Sequence, residues 1–443
     1  MTSSPSASEP QSAPFSPGYR RYLLFALLLV MILNVLDRQV INVLAEPIKQ
    51  ELGLTDTQLG LLTGLAFALF YNVVGIPLGR LADNARTNRV TLISASLAVW
   101  SGMTALCGAA QSFGHILLAR IGVAAGEAGC VPPAHSLIAD TVPLAKRARA
   151  LAIFGLGVPI GALLGKAMGG VLADAFGWRS AFFIVGIPGI LLAAVLLLTV
   201  REPRRMRVAS AAAPAARIPL REVVREIRRS PVLVNLTLAV STASLLVTGG
   251  SVWGMVHFIR NHHLTPGTAG VWIGLSGGIA GIIGTWLGGV VADRYGVRDP
   301  RHYMTAPILG MIFTVPLLLL AWHTNNWMLA IALLFLPDMF DNLYYGGVFA
   351  AVQSLVSDRT RATATATMLF VMTLVGTGFG ALSFGMVSDL LKPFAGEGES
   401  VRWVLMGAAV LYLVPAYFYW RASRHIRREF ASLRAADAPL AVS

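Results

Sequence analysis

Apolar runs of about 20 or more residues recur along this chain from residue 20 to residue 421. Each is long enough to cross a hydrocarbon core of ~30 Å as a helix. Twelve such runs are read: 20–46, 56–83, 88–110, 112–140, 147–173, 179–200, 231–260, 266–293, 303–323, 327–357, 362–391 and 401–421. With 55% hydrophobic residues, only 13% charged residues and a mean hydropathy of +0.66, the composition excludes a soluble globular domain. The expected organisation is a tail (1–19), a six-helix bundle (20–200), a cytoplasmic linker (201–230), a second six-helix bundle (231–421) and a second tail (422–443).

The net charge of +13 invites a nucleic-acid partner, but its distribution points elsewhere. Of the 35 Lys and Arg residues, 26 fall in the two tails, the even-to-odd helix loops and the helix ends that adjoin them, Lys49, Arg179, Arg260, Lys392 and Arg402 fall on the other side, and Arg38, Arg80, Arg120 and Lys166 lie within helices. That asymmetry is the positive-inside pattern of a multi-pass protein of a bacterial-style inner membrane with both termini cytoplasmic. The Ser, Pro and Ala-rich start has no secretory signal pattern, and the first apolar run is too long for a signal core. Cys107 and Cys130 both fall within helices, so neither a disulfide nor a metal cluster is expected. Gly161 to Lys166 has too short a glycine interval for a phosphate-binding loop, with no preceding strand and no following Ser or Thr. Neither ATP nor another cofactor is expected, and the chain is not read as an enzyme.

Four of the twelve Asp residues have a Gly four positions upstream: Gly79 with Asp83, Gly170 with Asp174, Gly289 with Asp293, and Gly385 with Asp389. These pairs close helices 2, 5, 8 and 11, which is the pattern of a three-helix unit repeated four times, inverted within each half. Asp140 to Ala150 likewise corresponds to the segment from Ser357 to Ala362 (with Asp358, Arg359 and Arg361). The loop from Gly79 to Arg89 and the segment from Gly289 to Gly296 resemble those of the major facilitator superfamily. The resemblance implies an all-α fold of two six-helix bundles with inverted three-helix repeats. It also implies that Gly79, Asp83, Arg86, Arg89, Asp293 and Arg294 form loops that hold the halves together on the cytoplasmic side when the cavity faces outward. Arg86 and Asn84 stand where the pattern usually has Gly and a basic residue.

Asp37 and Arg38 lie inside the first apolar run, and Arg120 and Glu127 lie inside the fourth. A charge at the bilayer centre costs roughly 2.5–3.5 kcal/mol on insertion scales, so four of them mark working parts. Asp37 and Arg120 fall at similar depth at ~1.5 Å per residue, and Arg120 and Glu127 share a helix face. One alternating cluster results if helices 1 and 4 face each other. Burial and a neighbouring Arg act oppositely on an acid's proton affinity, so opening such a cluster exchanges protons at Asp37 and Glu127 with Arg38 and Arg120 as competing partners. A static network orienting the two helices is the plainer alternative. The run from Asn34 to Arg38, with Glu46 and Pro47, and the segment from Arg120 to Ala128 resemble the Spinster family. This implies proton-linked movement of lysophospholipids or sphingoid phosphates. The helix 4 pattern is also similar to that of organic-anion and hexuronate carriers.

Helix 5 carries Gly157, Gly161, Gly165, Gly169 and Gly170 on one face, which allows close helix packing and resembles the antiporter motif of exporting facilitators, with Lys166 where Pro is usual. Lys166 is placed toward the outer part of the bundle, serving either an anionic headgroup or the interface. Polar groups expected to line the second half of the cavity include Ser241, Thr248, Asp338, Asp341, Asn342 and Tyr345. Met368, Phe370, Met372 and Phe379 are either cavity walls or packing residues. Asp338 and Asp341 admit three readings: a protonated acid, a partner of Lys166 or Arg120, or a site for a cationic group such as choline. His257, His262 and His263 are candidate pH sensors, without a third metal ligand. Arg221, Arg225, Arg228 and Arg229 suit either a surface helix against headgroups or a solvated linker. The expected function is proton-coupled symport or antiport of an amphipathic lysolipid by a monomer that interacts with membrane lipids and with no nucleic acid. The alternatives are a facilitator for small organic anions or drugs, and an uncoupled lipid scramblase or membrane receptor.

Overall fold

The computed structural model describes residues 15–84, 86–203, 220–296, 298–356 and 360–437. The N-terminal tail before residue 15, residues 204–219 of the linker, Ser357, Asp358 and Arg359, and residues 438–443 lie outside them. Among the described residues, eleven helical stretches are long and apolar enough to cross a membrane. They make twelve crossings because Arg149–Thr199 turns back at Gly177, whose φ of 79° and ψ of 159° suit a residue without Cβ.

The crossings are α1 (Pro17–Leu52), α2 (Asp56–Asp83), α3 (Arg89–Gly108), α4 (Phe113–Thr141), α5 (149–176), α6 (178–199), α7 (Pro231–Asn261), α8 (Pro266–Gly296), α9 (His302–His323), α10 (Trp327–Leu355), α11 (Thr363–Ala395) and α12 (Glu397–Ala431). An even number of crossings places the start of α1 and the end of α12 on one face, here the termini face; the opposite side is the far face. Two spans exceed the sequence expectation. The first continues past residue 46 to Leu52, with Pro47 inside it and Gly53 in the left-handed region as its C-terminal cap. The last stays helical to Asp437, so much of the expected C-terminal tail is helix. That extension is anchored by Glu429, which accepts from Val232 N at 3.0 Å, and by Arg427 Nε, which donates to Asp299 Oδ1 at 2.9 Å. Hydrogen bonds from Arg427 hold the Asp299 carboxyl down at about 2, so this contact persists above the ordinary carboxylate range and is lost as pH falls through that value.

Short helix Leu220–Arg229 forms the last part of the expected linker, with Val223 buried in the second-half core and Arg221, Arg225, Arg228 and Arg229 exposed. In the first half, the glycine face of α5 lies against α1. A Cβ on Gly161 would come 2.5 Å from the Ile32 carbonyl oxygen, and one on Gly165 would come 2.6 Å from that of Leu36. Gly161→Leu should therefore wedge α1 from α5 and destabilise the protein by roughly 1–3 kcal/mol or more, read as a lower midpoint of heat-induced loss of the monodisperse species.

Both halves meet along the far half of the molecule. Gly60 and Gly64 of α2 press on Thr377, Gly378 and Ala381 of α11, where each helix has a π-helical turn (Leu61–Leu65 and Leu374–Phe379). In α5 and α8, Gly170 meets Pro266 and Gly270 meets the Lys166 carbonyl. Toward the termini face the same helices part, leaving Val73 and Ile76 of α2 and Ile282 and Trp286 of α8 exposed. The molecule is closed at the far face and open at the termini face.

Candidate functional site

The four charges of α1 and α4 are brought together, with Asp37, Arg120 and Glu127 all at most 3% exposed. Their pairing differs from simple alternation. Arg38 Nε donates to Glu127 Oε2 at 2.5 Å, whereas Asp37 Oδ2 accepts from Thr104 Oγ1 of α3 at 3.1 Å. Among the described residues Asp37 and Arg120 make no ion pair, and buried Arg120 Nε and Glu127 Oε1 have no hydrogen-bond partner. Aromatic rings of α2 take up the cations instead. The Arg38 guanidinium lies 4.8 Å from the Phe67 ring centre and 4.6 Å from that of Tyr71, and the Arg120 guanidinium lies 5.2 Å from Phe67. Thr104, Phe67 and Tyr71 were not anticipated; the one sequence signal was an aromatic pair one turn apart on α2.

A cavity of ≈ 780 Å³ lies between the halves, mostly against the second. Lys166, Asp338, Asp341, Asn342 and Tyr345 line it as expected, with Lys166 inside the cavity rather than at the outer interface. Ser241 and Thr248 do not line it. The α7 positions that do include Val247, Gly250, Ser251, Gly254 and Phe258, spaced as one helical face. Thr248 is turned about 100° from Val247 and packs beside Gly380 of α11, and Ser241 is buried off that face. Nor do Met368, Phe370, Met372 and Phe379 line it: Met368 is buried in the second-half core, Met372 packs against it, and Phe370 and Phe379 are 39% and 45% exposed. His257 is fully buried with both ring nitrogens lacking partners, edge-on to Trp322 and His262. Cys107 and Cys130 are free and buried, and no metal-binding group exists among the described residues.

The far face is closed by a buried ionic latch that the sequence reading passed over. Arg260 of α7 reaches across to the first half, with Nη2 2.7 Å from Glu46 Oε2 and 2.9 Å from Asp56 Oδ1. Asp56, 0% exposed, also contacts Lys49 Nζ at 2.9 Å, Ser388 Oγ at 2.8 Å and Lys392 Nζ at 3.5 Å. Lys49 and Lys392 both reach Glu397. Two of the four repeated Asp residues complete the closure by capping helix starts in the other half. Asp389 accepts from Thr57 N at 2.7 Å and Asp56 N at 3.1 Å at the start of α2, and Asp174 accepts from Gly267 N at 3.0 Å at the start of α8. In the sequence Lys49, Arg260 and Lys392 stand out only as charges at one set of helix ends. The missed signal was that acids Glu46, Asp56, Asp389 and Glu397 sit at the same helix ends.

On the termini face, Asp83, Arg86, Asp293 and Arg294 are exposed, Arg294 lies over its neighbour Tyr295, and Gly79 has open space around it. Arg89 is a correction. It is buried and pairs with Glu202 at 2.6 Å and Asp140 at 2.8 Å, so it fastens α3 to α4 and the end of α6 within the first half instead of joining the halves.

Comparisons with known proteins agree with this architecture. The family model described as Major Facilitator Superfamily matches residues 27–384. A Mycolicibacterium smegmatis protein named MFS-type efflux pump is 35% identical, covering 91% of this chain and 92% of its own. The human protein spinster homolog 1 is 27% identical over 88% of this chain and 78% of its own. A solved bacterial homologue of the human lysosomal transporter Spinster, inward-facing and unoccupied, superposes with a TM-score of 0.84 at 31% identity, covering 94% of this chain and 99% of that one. With its twelve crossings, far-face closure and central cavity, the chain belongs to the Major Facilitator Superfamily as a Spinster-like secondary transporter of multi-pass membrane topology.

Proposed function

We propose that the protein is a proton-coupled transporter working by alternating access, residing in an inner membrane with both termini cytoplasmic, and moving an amphipathic lysolipid-like or sphingoid-phosphate-like substrate. The observation that carries this reading is the contact of buried Glu127 with Arg38, whose side chain is 31% exposed, in a cluster that also holds buried Asp37 and Arg120. A proton arriving on Glu127 removes the charge that Arg38 pairs with, and the freed guanidinium then competes for Asp37, which couples protonation to the placement of α1 against α4. The far-face latch and the exposed termini-face loops supply the two access states. In this orientation the state described opens to the cytoplasm, and Asp83, Arg86, Asp293 and Arg294 engage only when the cavity turns outward. A cavity with Lys166 at one wall and apolar side chains around it suits a charged head joined to an apolar tail.

The test is uptake into proteoliposomes under an imposed pH gradient, with labelled lysophospholipid set against small organic anions and dyes. Gradient-dependent movement of the lysolipid above the others is expected. Movement of dyes or organic anions alone would favour a drug or organic-anion carrier, a reading supported by the 35% identical efflux-pump relative. Lipid movement indifferent to the gradient would leave a scramblase and overturn the coupling.

A further inference from the structure

Helix α10 presents Asp338, Asp341, Asn342 and Tyr345 at positions i, i+3, i+4 and i+7, and all four line the cavity. This face is acidic and incompletely satisfied. Asp341 is 9% exposed; its Oδ2 accepts from Tyr412 Oη at 3.1 Å, while its buried Oδ1 has no hydrogen-bond partner. Among the described residues neither Asp338 nor Asp341 makes an ion pair. The cation that shares their cavity, Lys166, comes from the other half of the molecule and forms an ion pair with neither acid among the described residues. Glycine lets α8 come close to this face: a Cβ on Gly277 would come 3.1 Å from Asp338 Oδ2.

Carboxylates on a cavity wall with no cation against them are costly unless the cavity's occupant supplies one. We propose that Asp338 and Asp341 receive the ammonium group of a zwitterionic amphiphile, whose phosphate or carboxylate turns to Lys166. Tyr345 on the same face, stacked with Tyr344 and Phe349 and 40% exposed, adds an aromatic side chain beside the acids. The opposite charges stand on different halves, so such a head binds both bundles at once and is favoured only while the cavity holds them at the right separation. This rests on the transporter reading above and narrows its substrate to heads carrying both charges; a purely anionic amphiphile meets Lys166 but leaves the acids unfilled.

The experiment measures binding to the full-length protein in lipid nanodiscs, at one pH and without a gradient. The readout is quenching of tryptophan fluorescence, since Trp286 and Trp322 line the cavity. Hexyltrimethylammonium, hexylphosphocholine and hexyl phosphate are the probes. Hexylphosphocholine should bind most tightly. Asp338→Asn with Asp341→Asn should weaken hexyltrimethylammonium by about tenfold or more and hexyl phosphate by less than about twofold, and Lys166→Met should do the reverse. Asp341→Glu, which keeps the charge, should recover the ammonium probe and so separates loss of the site from loss of the fold. Equal ammonium binding in the wild type and the Asp variants, or an equal fall for all three probes, would overturn the proposal. Binding that follows this pattern without gradient-driven uptake would leave the site standing and remove the coupling; gradient-driven uptake with ammonium binding indifferent to the Asp variants would do the opposite.

Discussion

Replacing Arg260 by Ala should unlatch the far face. The guanidinium is the one group of α7 that touches both Glu46 and Asp56, and its removal leaves two buried carboxylates of the first half with less compensation. Breaking a buried ion pair by removing one partner costs roughly 3–5 kcal/mol. That cost falls on the far-closed state alone, because parting the halves lets water reach both acids. At about 1.4 kcal/mol per tenfold, the balance between access states should move by about two or more orders of magnitude. With Cys107 and Cys130 replaced by Ser, a Ser388→Cys reporter at the Asp56 contact of the latch, present in both proteins compared, should be labelled by an impermeant thiol reagent far faster in the Arg260→Ala protein. Arg260→Lys should give partial protection, since it retains the charge but not the forked contact. Equal labelling rates with and without Arg260 would show that the latch does not hold the face shut. Size-exclusion profiles before labelling separate opening from unfolding.

The second large effect is expected at Glu127. One pH unit is worth about 1.4 kcal/mol per proton, so a one-to-one coupled carrier accumulates substrate about tenfold per unit of gradient. Glu127→Gln keeps the shape of the side chain and a carbonyl oxygen toward Arg38 but can neither take up nor release a proton. Uphill uptake should therefore collapse to a ratio of about 1, while counterflow exchange of substrate, which needs no net proton movement, persists. Asp37→Asn should show the same split less completely, because Thr104 can still donate to the amide oxygen. Retained gradient-driven accumulation in both variants would reduce the cluster to a static brace between α1 and α4.

Much of the site was readable from residues in isolation, because a charged side chain in a lipid-length apolar run is conspicuous wherever it lies. Asp37, Arg38, Arg120 and Glu127 stood out for that reason. So did the four Gly and Asp pairs, although their division of labour did not: Asp174 and Asp389 are engaged while Asp83 and Asp293 face solvent. Charges at helix ends were harder. Arg260 and Asp56 are 204 residues apart, and each alone looks like an interfacial residue satisfying the bilayer boundary. Polar groups within helices were hardest, because each residue turns the face by about 100°. Ser251 reaches the cavity and Thr248 does not, a difference of less than one turn.

The number of crossings, the spans of all but the first and last to within a few residues, the shared face of the start of α1 and the end of α12, and the presence of a buried ionic cluster were settled by the amino-acid order itself. The energy of placing a segment in lipid depends mainly on that segment's own composition, and helices satisfy their backbone without help from elsewhere. Which charge meets which partner, which face is shut and which side of α7 sees the cavity were decided only by tertiary packing. Those outcomes depend on the rotation and separation of helices from opposite halves, where a few ångströms turn two solvated charges into a buried latch.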